Sequence, residues 1–210
     1  MKILVATKNL GKLKEMGQYL GEGFELVSLA DLGNAPEVSE NAPTFDANAV
    51  AKARAYFEWS GLPTIAEDGG FEIDVLGGEP GVYSRRWPTA DELASGQLRE
   101  KTDEELIALA LTKLQGVPPD QRTARLRSVG VFYDGARTFL EMAAVEGVIT
   151  QEYPTHWPRG LPFRGIFLIP QFNKLYADLT DQEHEQVNQR RPIYTRLAER
   201  ILHDERKSQK

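Results

Sequence analysis

Two neighbouring acids, Glu67 and Asp68, close a short apolar run and open onto Gly69 and Gly70. Carboxylates at the end of a buried strand, beside flexible glycines, suit a hard cation and an anionic substrate. Magnesium takes oxygen ligands, commonly only one or two from protein, and leaves the rest to water and substrate phosphates. A second patch lies at the start of the chain. There the apolar run at residues 2–6 is followed by Asn9 and a helical pattern with Leu10, Leu13, Met16 and Leu20 on one side. Asn9 suits a helix N-cap. A strand running straight into a helix start offers backbone N–H groups and the positive end of the helix dipole, a setting that holds phosphate, and Lys12 adds charge. Units of this kind also open many α/β domains without that role, and solvation explains Lys8 and Lys14 as well. Together the two patches point to chemistry on a phosphorylated small molecule.

The elements that must position these groups alternate at first. Strand patterns at residues 2–7, 24–28 and 64–67 are separated by helical patterns at 9–20 and 44–60, and residues 29–43 read as a polar loop. A glycine turn is expected at residues 69–70, then a strand at 71–75 and the turn LGGEPG. Neighbouring strand residues face opposite sides, so Glu67 and Asp68 share a coordination shell only if that turn relaxes the alternation. Lys52 follows Asn48 by four residues, which places both on one helix face. Residues 86–100 read as a loop leading into a helix at 101–114, whose apolar face is Leu106, Ile107, Leu109, Ala110 and Leu114. GVPPDQ is a break. Runs at 124–133 and 138–150, separated by DGAR, make a hairpin, and a last helix begins near Pro192 with Ile193, Leu197, Ile201 and Leu202. Phe45 and Tyr83 are expected in the core, and Trp87 as cover for a core or an interface. Trp157 sits in a loop, where it either stacks on a base or covers the core.

Bulk properties fit a cytoplasmic enzyme. A length of 210 residues suits a single domain, with or without a small lobe, and allows a sizeable core. The chain has no cysteine, hence no disulfide, thiolate metal site or cysteine nucleophile. Its apolar runs are too short to span a bilayer, and nothing resembles a signal peptide. A net charge of -6 argues against polymeric nucleic acid, whose binding rests on neutralising many phosphates. A mononucleotide needs only a few local cations. His156, His184 and His203 make no metal-binding spacing.

Four motifs in order carry a resemblance. They are Thr7/Asn9/Lys12, then Glu40/Thr44/Phe45/Asn48/Ala49/Lys52/Ala53, then AEDGGF at 66–71, then LGGEPGVYSRR at 76–86. This pattern resembles the ITP/XTP pyrophosphatase family, the Ham1-like pyrophosphatases of non-canonical purine nucleoside triphosphates. The resemblance implies an α/β fold, an elongated mixed sheet flanked by helices with two lobes around a central substrate cleft. It also implies a homodimer and hydrolysis of a nucleoside triphosphate between the α- and β-phosphates, with magnesium, or manganese in its place. Asp68 takes the general-base position and binds metal. Glu40 adds a metal ligand, as does Glu67, which stands where an aspartate is usual. Asn9, Lys12 and Lys52 fall on the triphosphate, Thr7 and Lys8 bind substrate beside them, and Gly69 replaces a serine that lies against the substrate. Arg86 matches a family arginine, with a structural or a substrate role left open.

The base-reading end departs from that pattern. LPFRGIF stands where FGYDPIF is usual, so Phe163 and Arg164 replace a tyrosine and an acid, the latter reversing a charge. His184 replaces a lysine, and Asn188-Gln189-Arg190 replaces Ser-His-Arg, leaving only the arginine. In the family these positions clasp a 6-oxopurine. Arg190 and Arg164 are able to donate to its oxygen, whereas Gln189 both donates and accepts and tolerates an exocyclic amine. Three readings follow: action on ITP, dITP and XTP; the same chemistry on another common or modified nucleotide; or a nucleotide-binding module without catalysis. Persistence of Glu40, Asp68, Lys12 and Lys52 argues against the last.

Overall fold

A computed structural model describes residues 1–8 and 10–208, so the expectation for Asn9 lies outside the described residues. The chain begins as the pattern predicts. β1 (Lys2–Val5) leads to α1 (Leu10–Leu20) and β2 (Glu25–Ser28), and β1 pairs in parallel with β2. Ile3, Leu4 and Val5 have no exposed surface, as a strand covered on both faces requires. The expected loop at 29–43 opens instead with a short helix, α2 (Leu29–Leu32). Its cause is local. The Ser28 hydroxyl accepts from the Asp31 amide at 3.2 Å while the Asp31 carboxylate accepts from the Ser28 amide at 2.8 Å, a reciprocal cap.

α3 (Phe45–Ser60) starts on Thr44, whose hydroxyl accepts from the Ala47 amide, and ends at Gly61 in the left-handed region with φ 69°. β3 (Thr64–Ile73) then runs unbroken for 10 residues, so the turn expected at 69–70 does not form. Glycine permits a turn but does not force one. Its first residues pair in parallel with β1 and its last antiparallel with β4 (Glu79–Gly81). Tyr83, expected in the core, is 44% exposed, because it falls in the turn after β4, where its amide donates to the Pro80 carbonyl. A second short helix, α4 (Ala90–Ser95), interrupts the expected loop at 86–100 and carries the same reciprocal cap between Thr89 and Glu92. α5 (Asp103–Lys113), β5 (Thr123–Tyr133), β6 (Thr138–Ile149), β7 (Phe167–Ile169), β8 (Lys174–Leu175) and α6 (Asp181–Val187) follow. The final helix, α7 (Arg190–Ser208), begins two residues ahead of Pro192, which the first turn tolerates because its amide has no helical partner there. The result is a mixed eight-stranded sheet with helices, in the order β2-β1-β3-β5-β6-β7-β8, with β4 paired to β3.

The chain divides into two compact units, and β3, β5 and β6 run through both. The first comprises residues 1–69, 128–143 and 189–210. Its core joins Ile3, Val5, Met16 and Ile65 to Phe132 and the α7 residues Ile193, Tyr194, Leu197 and Ile201. Gly130 lets β5 approach α7, since a Cβ there would fall 2.5 Å from the Ile193 side chain. The second unit comprises residues 70–127 and 144–188. Its core gathers Phe71, Trp87, Phe163 and Phe167 with the expected α5 face, Leu106, Ile107, Ala110 and Leu114. No helix among the described residues is long and apolar enough to cross a membrane.

Candidate active site

Because β3 continues through Gly69, Glu67 and Asp68 obey strand alternation and their carboxylates meet different partners. Asp68 meets α3. Lys52 Nζ lies 3.3 Å from Asp68 Oδ1 and 3.1 Å from Glu40 Oε2, so one nearly buried amine is shared by two carboxylates. Asn48, one helical turn before Lys52 and 2% exposed, organises both sides. Its Oδ1 accepts from the Ala42 amide at 2.9 Å, tying down the segment that carries Glu40, and its side chain also hydrogen-bonds Asp68. Burial pushes the Asp68 carboxyl above its ordinary pKa. Lys52 and Asn48 pull the other way, and the Glu40 charge adds to the rise.

These donors fit a hard cation. Among the described residues no group of three or more His, Asp or Glu side chains is arranged to hold a metal. Two carboxylates already converging on one positive charge are, however, as many as magnesium commonly takes from protein.

Glu67 is turned to α7. Arg190 Nε donates to its oxygens at 2.9 and 3.1 Å and Nη2 at 2.9 Å, and the Tyr194 hydroxyl makes a further short bond. Arg190 and Tyr194 are four residues apart, so one helix face grips the carboxylate. Lys12 Nζ lies 3.5 Å from Glu67, and Glu15 lies 3.5 Å from Arg190 Nη1. Burial opposes the Glu67 charge, yet Arg190, Lys12 and the Tyr194 bond outweigh it and bring its pKa down to about 2. Burial likewise opposes the Arg190 charge, and Glu67 and Glu15 more than offset that, raising its pKa.

The remaining expected residues separate into the two units. In the first, Thr7 is half-buried just past β1, Lys8 is exposed, and Gly69 is an exposed residue of β3. Gln189 is buried and donates to the Ser128 hydroxyl at 3.2 Å. In the second, Phe163 stacks on Phe71 with ring centroids 5.0 Å apart and meets the edge of Trp87. The Arg164 guanidinium lies 4.8 Å over the Tyr176 ring, and the His184 ring meets Tyr176 at 4.9 Å. Glu15, Tyr194 and Tyr176 have no role in the sequence reading, and Asn48 enters it only as a motif residue on the helix face of Lys52. The signal for Asn48 and Tyr194 was their four-residue spacing from Lys52 and Arg190; Glu15 and Tyr176 gave none.

Known proteins share this sequence pattern and fold. The model of the Ham1 family matches residues 3–200. The dITP/XTP pyrophosphatase of Geobacillus kaustophilus is 36% identical over 203 residues, covering 94% of this chain and 93% of the relative. Among solved structures, the Staphylococcus aureus Ham1 protein superposes with a TM-score of 0.80 at 25% identity, covering 97% of this chain and 100% of its own. The nucleoside-triphosphatase, or dITP/XTP pyrophosphatase, of Mycobacterium abscessus gives a TM-score of 0.72 at 34% identity, covering 89% and 93%.

Proposed function

The chain belongs to the Ham1 family, and from that premise we propose that it hydrolyses non-canonical purine nucleoside triphosphates between the α- and β-phosphates with magnesium. It is a hydrolase acting on nucleoside triphosphates. ITP, dITP and XTP are the substrates we assign, and monophosphate and pyrophosphate the products. The observation that carries the reading is the convergence of Glu40 and Asp68 on Lys52 within one unit. Glu40 and Asp68 would hold magnesium, which when bound there neutralises phosphate charge.

Asp68 is the general base. Its carboxylate would take a proton from the attacking water. Asn48 orients that carboxylate, and Lys52 is the cation that would serve the phosphates from this cluster. Lys12 supplies a second cation from α1, about two-fifths exposed beside Glu67. Lys12→Ala should therefore raise KM for triphosphates about tenfold and change kcat little, as loss of a charged hydrogen bond made equally in ground and transition states does. Steady-state kinetics check this, and an unchanged KM removes Lys12 from the phosphates.

Phe163, Arg164 and His184 are assigned to the base. Arg190 and Gln189 are engaged with Glu67 and Ser128, so their use on a base requires exchange of those bonds. The reversed charge at Arg164, seated on Tyr176, favours a second reading, the same cleavage with a different base preference. Phosphorus NMR of the products tests the bond cleaved. Pyrophosphate from ITP is expected; orthophosphate would place cleavage elsewhere and overturn the assignment.

A further inference from the structure

Asp103 is the first residue of α5 and only 9% exposed, although Thr102 already caps that helix. Its carboxylate is spent elsewhere. Oδ2 accepts from the Gly160 amide at 2.6 Å, Oδ1 accepts from Arg85 Nη1 at 2.6 Å, and the Trp157 side chain bonds it as well. The segment held in this way runs directly into the 3-10 turn Pro162–Gly165, which carries Phe163 and Arg164. The Leu161 amide donates to the Pro158 carbonyl at 2.9 Å and the Arg164 amide to the Leu161 carbonyl at 3.1 Å, so the held segment and the turn are one hydrogen-bonded run. Contact is equally close at Gly165. A Cβ there would fall 2.9 Å from both the His156 carbonyl oxygen and Trp157 Cβ, so residues 156–157 rest directly on the turn.

We propose that Asp103 is a positioning residue for base recognition: by fixing Gly160 and Trp157 it sets the turn that presents Phe163 and Arg164. The proposal rests on the assignment of those two residues to the base. A buried carboxylate suits the task because both oxygens accept, and partners on two separate segments are held at once. Asparagine has the same shape but one accepting oxygen, so Asp103→Asn lets go of one side without opening a cavity.

Kinetics with ITP, ATP and inorganic triphosphate, which has no base, test it. Asp103→Asn should raise KM for ITP about tenfold. It should also narrow the preference between ITP and ATP while leaving kcat and inorganic triphosphate turnover unchanged. Unchanged KM and preference would overturn the proposal, as would equal loss on all three substrates, the result of general loosening. Should Asp103→Asn not fold, Trp157→Phe removes the bond from the Trp157 side chain to the carboxylate and keeps an aromatic ring, and a base-selective rise in KM or its absence decides in the same way. Wild-type protein inactive on every nucleotide would defeat the enzymatic reading alone. Calorimetric titration of ITP then decides for Asp103: about tenfold weaker binding by the variant supports it, and equal affinity overturns it.

Discussion

Asp68→Asn is expected to lower kcat by about 10²–10⁴-fold while nucleotide affinity holds, the span that general-base removal commonly costs. Asparagine keeps the size of the side chain and its bond to Asn48 but cannot take a proton from water. A second readout is the pH profile. The base works only when deprotonated, so wild-type kcat/KM should fall as pH drops through the titration of Asp68. The variant should lack that limb. Single-turnover kinetics with a direct binding titration separate chemistry from affinity; a variant with wild-type turnover would remove Asp68 as the base.

Arg190→Ala carries the largest expected loss of stability. It strands Glu67, whose side chain is 9% exposed and whose other partners are Tyr194 and Lys12. Removing one member of a buried ion pair typically costs about 3–5 kcal/mol. The double variant Arg190→Ala/Glu67→Gln should recover part of that, since position 67 then carries no buried charge without its arginine. Linkage gives the pH dependence. Glu67 titrates at about 2 in the folded protein against 4.5 ordinarily, so its contribution is complete above about 4.5 and is lost as pH falls towards about 2. That contribution is about 3 kcal/mol. Urea unfolding across this range should show the loss in wild type and not in Glu67→Gln, whereas identical pH slopes would mean that the pair does not hold Glu67 ionised.

The legible parts of the molecule were those set by local chemistry. Thr44 and Gly61 bracket α3, and alternation and turn residues delimit the 123–149 hairpin, because caps and strand periods act over a few residues. The two short helices carried their own signals, Ser28 with Asp31 and Thr89 with Glu92, but lay in polar, proline-containing sequence that reads as loop. Gly69 and Gly70 misled in the opposite sense, since pairing with β4 keeps the segment after them extended. Within the site, Glu40, Lys52 and Asp68 were legible as a group through motif order. The engagement of Arg190 by Glu67, 123 residues away, was not, because only tertiary packing decides which buried acid meets which cation.

The most direct test of the central claim is pyrophosphate release with magnesium across ITP, dITP, XTP, the eight common ribo- and deoxyribonucleotides and several modified ones. The account predicts kcat/KM for ITP, dITP and XTP above that of every common nucleotide, and at least about a hundredfold above ATP and dATP, which carry an amine in place of the six-position oxygen. Equal or greater efficiency with a common nucleotide would contradict it and would make Arg164 the mark of a different substrate.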